Sequence, residues 1–156
     1  MIIRKATIRD FEKIKQIRAE FFLLEASTDK YVNPEWVKRG MPIAIGKGLR
    51  NKNEQYHIAE EDGQLIGFAA SEIIKNPHWA KHKELGHLYN LYVIPKYQGK
   101  GIGTKLLEKA LEWLKERKIK DIKILTYAEN KKAQKLYKRY GFSDYMITMK
   151  KLFPHD

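Results

Sequence analysis

A chain of 156 residues has the length of one compact domain and can bury roughly 68–70% of its unfolded surface around a single core. Apolar residues at 43% and charged residues at 32% exclude wholesale disorder, and the longest apolar run, residues 65–70, is far short of the ~20 residues a membrane helix needs. Zero cysteines exclude disulfides, Cys-containing zinc sites and thiol nucleophiles, while 31 Lys and Arg against 19 Asp and Glu leave a net charge of +12.

In chain order, Ile2, Arg4, Ala6 and Ile8 alternate with Ile3, Lys5 and Thr7, which predicts a short strand. These charged first residues lack the apolar core of a signal peptide, so the chain is expected to work in the cytoplasm. Thr7-Ile8-Arg9-Asp10 reads as an acidic capping box for a helix whose apolar stripe is Phe11, Ile14, Ile17 and Phe21. Asn33-Pro34 starts a second helical piece that breaks near Gly40, Pro42, Gly46 and Gly48, leaving residues 24–53 largely irregular. Residues 55–60 and 64–74 are apolar-rich runs around Glu61-Asp62-Gly63, the composition of a hairpin. Residues 86–94 form the next strand, closed by Pro95, and Ile102, Leu106, Leu107, Ala110, Trp113 and Leu114 follow at helical spacing. Residues 121–126 read as a strand, 130–140 as a helix closed by Gly141, and 145–152 as a last strand. The order β-α-α-β-β-β-α-β-α-β describes a mixed α/β layer with a glycine-rich strand-to-helix turn at its centre.

Residues 91–156 hold 16 basic and 7 acidic side chains, so the second half carries most of the charge excess. An anionic partner would suit it: a phosphorylated cofactor, nucleic acid or a membrane surface. A Lys- and Glu-rich surface also serves solubility, so charge alone decides nothing. The turn Gln98-Gly99-Lys100-Gly101-Ile102-Gly103-Thr104 is more specific, because peptide N–H groups converge there on a positive helix end and form an anion site. No Gly-Lys-Ser/Thr ends it as in a Walker loop, and Thr104 and Leu106 stand where a dinucleotide fingerprint needs a third glycine. In isolation the same glycines would also suit a plain chain reversal.

The turn does not stand in isolation. Leu91-Tyr92-Val93-Ile94-Pro95-Lys96-Tyr97-Gln98-Gly99-Lys100-Gly101-Ile102-Gly103 resembles the acetyl-CoA-binding motif of the GNAT (general N-acetyltransferase) superfamily, Gln/Arg-x-x-Gly-x-Gly/Ala, with Gln98, Gly101 and Gly103 in its fixed places. Asn130-x-x-Ala133-x-x-x-Tyr137-x-x-x-Gly141-Phe142 is similar to a second family segment at the expected distance. The likeness runs from the first strand to about Phe142 and is closest over residues 89–142. It implies an α/β, GNAT-like fold: a mixed, mostly antiparallel central sheet flanked by helices, with a splayed strand and a glycine turn at the cofactor site. It also implies a single N-acetyltransferase domain over residues 1–156.

The resemblance further implies acetyl-CoA as acyl donor and a primary amine, on a small molecule or at a peptide N-terminus, as the acceptor that attacks the thioester directly. The donor's pyrophosphate is expected on the backbone of Gln98, Gly99, Lys100, Gly101, Ile102, Gly103 and Thr104. The splayed strand at Tyr92, Val93 and Ile94 would offer main-chain hydrogen bonds to the pantetheine arm, and Asn130 would meet that arm from the other side. Tyr137 matches the general acid that protonates the departing thiolate, although Ala133, Leu136, Tyr137 and Tyr140 also share the spacing of a core-facing stripe. His87, six residues before Val93, stands where some members place a proton acceptor; Tyr89, Glu72 and Glu84 are alternatives, as is an ordinary packed histidine.

Glu25, Asp29, Glu35, Glu72 and Glu84 come from segments expected to wall the acceptor side and would draw in a cation. His78, His82 and His87 lack a carboxylate or Cys at tight spacing, so no metal site is expected. After Phe142 the sequence offers one strand where the family has a hairpin, so the acceptor wall either stands open or is completed by a second subunit in a homodimer. Two rival readings remain at this level, a non-catalytic acyl-CoA-binding sensor and a basic nucleic-acid-binding module. The second is disfavoured by only seven Arg and by the absence of a helix-turn-helix or RRM motif.

Overall fold

The structure, a computed structural model, describes residues 1–151 and 153. They fall into two compact units, Met1–Leu125 and the chain from Thr126 onward. The first unit holds β1 (Ile2–Lys5), α1 (Phe11–Thr28), α2 (Pro34–Gly48), β2 (Glu54–Glu61), β3 (Gln64–Lys75), β4 (Glu84–Val93), α3 (Ile102–Glu116) and β5 (Ile122–Ile124). Its five strands lie side by side in chain order, antiparallel except for the parallel pair β4 and β5. This is the mixed, mostly antiparallel sheet the sequence predicts.

Period-two alternation in the strands sorts the core onto two faces. Tyr56, Ile58, Phe68, Ala70 and Tyr92 meet Ile14 and Ile17 of α1 and Val37, Met41 and Ile45 of α2. On the other face Ile73 meets Leu114 of α3 and Ile119. The β2–β3 hairpin turns at Asp62 and Gly63 with φ of 50° and 76°, the left-handed pair that matches the twist of an antiparallel ribbon. Thr7 opens a short 3-10 turn, Ile8–Asp10, that leads into α1. The Asp10 carboxylate accepts the Thr7 N–H at 2.8 Å and a forked pair of bonds from Arg4 at 2.8 and 2.7 Å. The guanidinium beside it holds that buried carboxyl well below the usual carboxylate range.

Three expectations are corrected. Helix α2 does not break at its glycines and proline but runs for 15 residues with Pro42 inside it. Interior proline costs about 3 kcal/mol. Val37, Met41 and Ile45 recur every four residues and are 6%, 1% and 0% exposed, so burial worth about 1.5–3 kcal/mol each outweighs that cost. The last strand is not formed either: residues 145–151 have no strand pairing, Tyr145, Met146, Ile147 and Met149 are exposed, and Leu152 lies outside the described residues. Apolar alternation supplies propensity, but a strand exists only through a partner. For the same reason β5 covers Ile122–Ile124 rather than 121–126, since only those three residues pair with β4.

His57 on β2 is 7% exposed, and its Nδ1 has no hydrogen-bond partner among the described residues. Burial, with Lys109 and Lys5 adding, pushes its imidazole down from 6.5 to about 4. The unfolded chain therefore takes up this proton first, so the stability His57 contributes is whole above pH 6.5 and is lost as pH falls towards 4, by roughly 3 kcal/mol. The urea midpoint is expected to drop across that window and to drop less in His57→Gln. Parallel pH profiles for the two proteins would exclude His57 as the source.

The second unit carries α4 (Lys131–Arg139). Asn130 caps it, its Oδ1 accepting the Ala133 N–H at 3.1 Å, and Gly141 with φ of 85° ends the chain's helical course.

Candidate active site

Strand β4 is paired with β3 from Glu84 to Val93 but with β5 only from Gly86 to Leu88. Beyond Leu88 the two share no further pairing among the described residues, so that edge of β4 is open there. A bulge falls within this stretch, because Ala70 opposes Asn90 and Ser71 opposes Leu88, leaving Tyr89 without a counterpart. The Ile94 N–H is taken by Ile66 O on the β3 side at 3.0 Å. Backbone groups alternate in direction along a strand, so those of Val93 point to the open edge. The Gln98 side chain donates to Val93 O at 2.9 Å, so this residue ties the turn to the strand. Tyr92 is 9% exposed, its ring against Phe21 and Phe68, and by the same alternation its backbone groups, like those of Ile94, face β3 and not the open edge, so of the three residues expected to meet the pantetheine arm only Val93 presents its main chain there.

From this edge the chain runs through Pro95–Tyr97, a single 3-10 turn, into the glycine segment. Gly99 and Gly101 have φ of 80° and 77°, values that other residues reach only with strain, and Gly101 is the N-cap of α3. Intrahelical bonding starts with Lys105 N to Gly101 O, so the N–H groups of Ile102, Gly103 and Thr104 have no acceptor within the helix. Ile102 is 3% exposed and pins this first turn to the core. The Lys100 ammonium lies 5.3 Å from the Tyr97 ring centroid. A Cβ added at Gly99 or Gly101 would meet nothing within 4 Å. Among the described residues nothing accepts from these three N–H groups, and a helix start of this kind fits a pyrophosphate.

On the α1/α2 face of the sheet, Glu54 of β2 is directly opposite Glu72 of β3, which is directly opposite His87 of β4. His87 Nδ1 lies 3.0 Å from Glu72 Oε1. A neutral imidazole donates its Nδ1–H to that carboxylate, which leaves Nε2 as the basic nitrogen. Nε2 is buried and has no hydrogen-bond partner among the described residues. Burial lowers the His87 pKa and the Glu72 hydrogen bond opposes it, with a net shift downward, so the ring is neutral at pH 7.

A second chain of polar groups starts at Arg18, on α1 and 5% exposed. Its Nη1 donates to the Tyr56 hydroxyl at 2.8 Å, the Tyr56 and Tyr89 hydroxyls are 2.9 Å apart, and the Tyr89 hydroxyl donates to Glu54 Oε1. The guanidinium also lies 5.8 Å from the Tyr56 ring centroid and 5.6 Å from that of Tyr89. Burial, with Tyr56 adding, pushes Tyr89 well above the usual phenol range, so Tyr89 is a donor here and no base. The sequence drew attention to Glu72, Tyr89 and His87 but not to Arg18, Tyr56 or Glu54, whose link rests on pairings 33 to 38 residues apart. Of the other acidic residues expected on the acceptor side, Glu35 pairs with Lys38 at 2.9 Å and Glu84 is exposed at the start of β4.

In the second unit, Tyr137 lies on α4 at 7% exposed, its ring edge-on to Phe142 at 6.1 Å. Burial pushes its hydroxyl up to about 12. The Asn130 Oδ1 is engaged as the cap of α4, so its Nδ2 is the part of that side chain left to donate elsewhere.

A mixed sheet whose β4–β5 pairing stops at Leu88, followed by a glycine turn that caps a helix, is the frame of an α/β domain with an anion-binding turn at its centre. The sequence profile of the acetyltransferase (GNAT) family matches residues 11–142, and the chain belongs to that family. It is 28% identical over 149 residues to an uncharacterized N-acetyltransferase of Methanocaldococcus jannaschii, covering 92% of this chain and 63% of that protein. It is 36% identical over 83 residues to an uncharacterized N-acetyltransferase of Archaeoglobus fulgidus, covering 51% of this chain and 54% of the other. The chain thus spans less than two thirds of either relative. Among solved structures, a predicted acetyltransferase of Clostridium acetobutylicum with acetyl-CoA superposes with a TM-score of 0.78 at 27% identity, covering 97% of this chain and 95% of that one.

Proposed function

We propose that the protein is an acetyl-CoA-dependent N-acetyltransferase that acetylates a primary amine, its two units acting as one catalytic domain. The observation that carries this reading is the edge of β4 beyond Leu88, unpaired with β5 among the described residues, leading through one 3-10 turn to a helix start whose first three N–H groups have no acceptor within the helix. That arrangement offers main-chain hydrogen bonds to an extended arm and, at its end, a cradle for a pyrophosphate. Acetyl-CoA supplies an acetyl thioester and carries both groups. Its use as donor would place the reaction in the cytoplasm.

The residues divide the work as follows. Backbone groups of Val93, with those of residues 98–104, bind and align the donor, and Asn130 Nδ2 adds a hydrogen bond. His87 Nε2 takes the proton from the acceptor's ammonium, directly or through water, while Glu72 holds the tautomer and balances the imidazolium that results. Tyr137 donates to the sulfur as the C–S bond breaks. An amine with a pKa near 10 is about one part in a thousand neutral at pH 7, so assisted deprotonation is worth up to ~4 kcal/mol.

The test is release of CoA from acetyl-CoA over a panel of polyamines, amino acids, aminoglycosides and N-terminal peptides. The chain has no cysteine, so every thiol that a thiol-reactive dye detects is product. Turnover with cationic amines, falling as salt rises, is the expected result. Binding of acetyl-CoA without turnover on any amine would replace this reading with that of an acyl-CoA sensor.

The pH dependence tests the base. A rate that needs neutral His87 falls as pH drops through the pKa of that ring, and because burial depresses it, the acidic limb should lie below pH 6.5. His87→Ala is expected to lower kcat/KM by about 100-fold and to abolish that limb. An unchanged limb would assign the proton to another acceptor.

A further inference from the structure

We propose that Glu54 is a specificity residue for the acceptor, and that the acceptor is an amine carrying a second positive charge. The inference rests on the amine acetyl transfer proposed above and deepens it. Three observations lead to it.

Glu54 and Glu72 stand directly opposite one another on neighbouring strands, an arrangement of like charges that weakens a sheet. Glu72 is engaged by His87, and neither carboxylate has a Lys or Arg partner among the described residues. The structure nonetheless holds Glu54 in place. Its Oε1 receives the Tyr89 hydroxyl; since each hydroxyl has one hydrogen, Tyr56 then donates to Tyr89 and accepts from Arg18. This line of donors, charged at its buried end, ends on a carboxylate that is only partly buried. Gly48 makes room for it, because a Cβ there would collide with the Glu54 carboxylate.

Buried polar groups near this row are also unpaired. Asn90 lies opposite Ala70, two residues from Glu72 on the same face of β3, and is 9% exposed, yet its Oδ1 has no hydrogen-bond partner among the described residues. His87 Nε2 shares that condition. Buried polar atoms without partners in a free enzyme are the groups a bound substrate can satisfy.

The row also sets a length. Adjacent strands are about 4.8 Å apart, so two steps from His87 to Glu54 span roughly 10 Å of backbone, less the reach of the side chains. An acceptor giving one nitrogen to His87 would therefore present a second ammonium to Glu54 if its nitrogens are separated by a chain of about four to eight carbons. A polyamine, or another polycation of similar charge spacing, has that chemistry.

The experiment compares kcat/KM for α,ω-diaminoalkanes of four to eight carbons with that for the monoamine of equal length, in wild type, Glu54→Gln and Tyr89→Phe. In the wild type the preferred diamine should exceed its monoamine by about tenfold or more. In Glu54→Gln the ratio should fall to about two, the statistical factor for two equivalent nitrogens. Tyr89→Phe keeps the charge but removes the bond that orients it, and should give an intermediate ratio. General damage to the fold lowers both rates together and leaves the ratio unmoved, so a shifted ratio marks a role in recognition. If Glu54→Gln fails to fold, Tyr89→Phe decides by the same ratio. A wild type without diamine preference, or a preference that survives these substitutions, overturns the inference while leaving the acetyl transfer intact. No CoA release from any amine overturns both.

Discussion

Acetyl-CoA is expected to raise the melting temperature of the wild-type protein and to leave that of Gly101→Glu where it was. A ligand bound by the native state alone at 100 times its Kd stabilises by about 2.7 kcal/mol, which for a chain of this size is a shift of roughly 5–10 °C. Gly101 has φ of 77°, so any side chain there costs on the order of 1–2 kcal/mol of backbone strain. Nothing lies within 4 Å of the new Cβ, however, so beyond that strain the Cβ itself meets no neighbour. What it introduces is a carboxylate at the mouth of the N–H cradle, where it competes with the pyrophosphate for the same donors and repels it. The measurement is a thermal scan with and without acetyl-CoA. A folded Gly101→Glu protein that still shows the full shift would show that the glycine turn is not the donor's anchor.

Tyr137→Phe is expected to lower kcat by 100-fold or more while the Kd for acetyl-CoA stays within about threefold. The substitution removes one oxygen and keeps the ring, so the edge-on packing with Phe142 survives. With its hydroxyl pushed up to about 12, Tyr137 lies about 3.5 pH units above a thiol of pKa near 8.5, and complete proton transfer to a free thiolate would be uphill by about 5 kcal/mol. In the proposed mechanism its contribution would therefore be a hydrogen bond that strengthens as charge grows on sulfur, with the proton passing late. The same elevation keeps the phenol protonated throughout the working range, so any alkaline limb of the rate profile below pH 10 belongs to another group and should persist in the variant. Loss of donor affinity in proportion to kcat would make Tyr137 a packing residue instead.

The glycine turn was legible in the sequence because everything that shapes it is local. Three glycines, two of them with positive φ, and the start of an amphipathic helix lie within a few residues of one another. The Asp62-Gly63 hairpin, the α1 stripe and the glycine that closes the 130–140 helix were readable for the same reason: each is decided by dihedral preference or by short-range spacing. The segment from Pro34 to Gly48 shows where local preference is overruled. Its proline and glycines argue against a helix, and only the burial of Val37, Met41 and Ile45 against α1 and the sheet makes one.

Tertiary structure alone decided the polar row on the α1/α2 face. Glu72 meets His87 because the β3–β4 register sets them opposite, and the bulge that frees Tyr89 is a property of two strands together, not of either sequence. Glu54 carries no signal of its own in the chain: it becomes a held carboxylate only because Tyr89, 35 residues away, and Arg18, through Tyr56, are brought beside it. The sequence by itself thus determined the family, the glycine turn at the start of α3 and the residue types proposed for proton transfer. Which carboxylates share the α1/α2 face depended on strand register, where a slip of one residue would turn each side chain to the opposite face of the sheet.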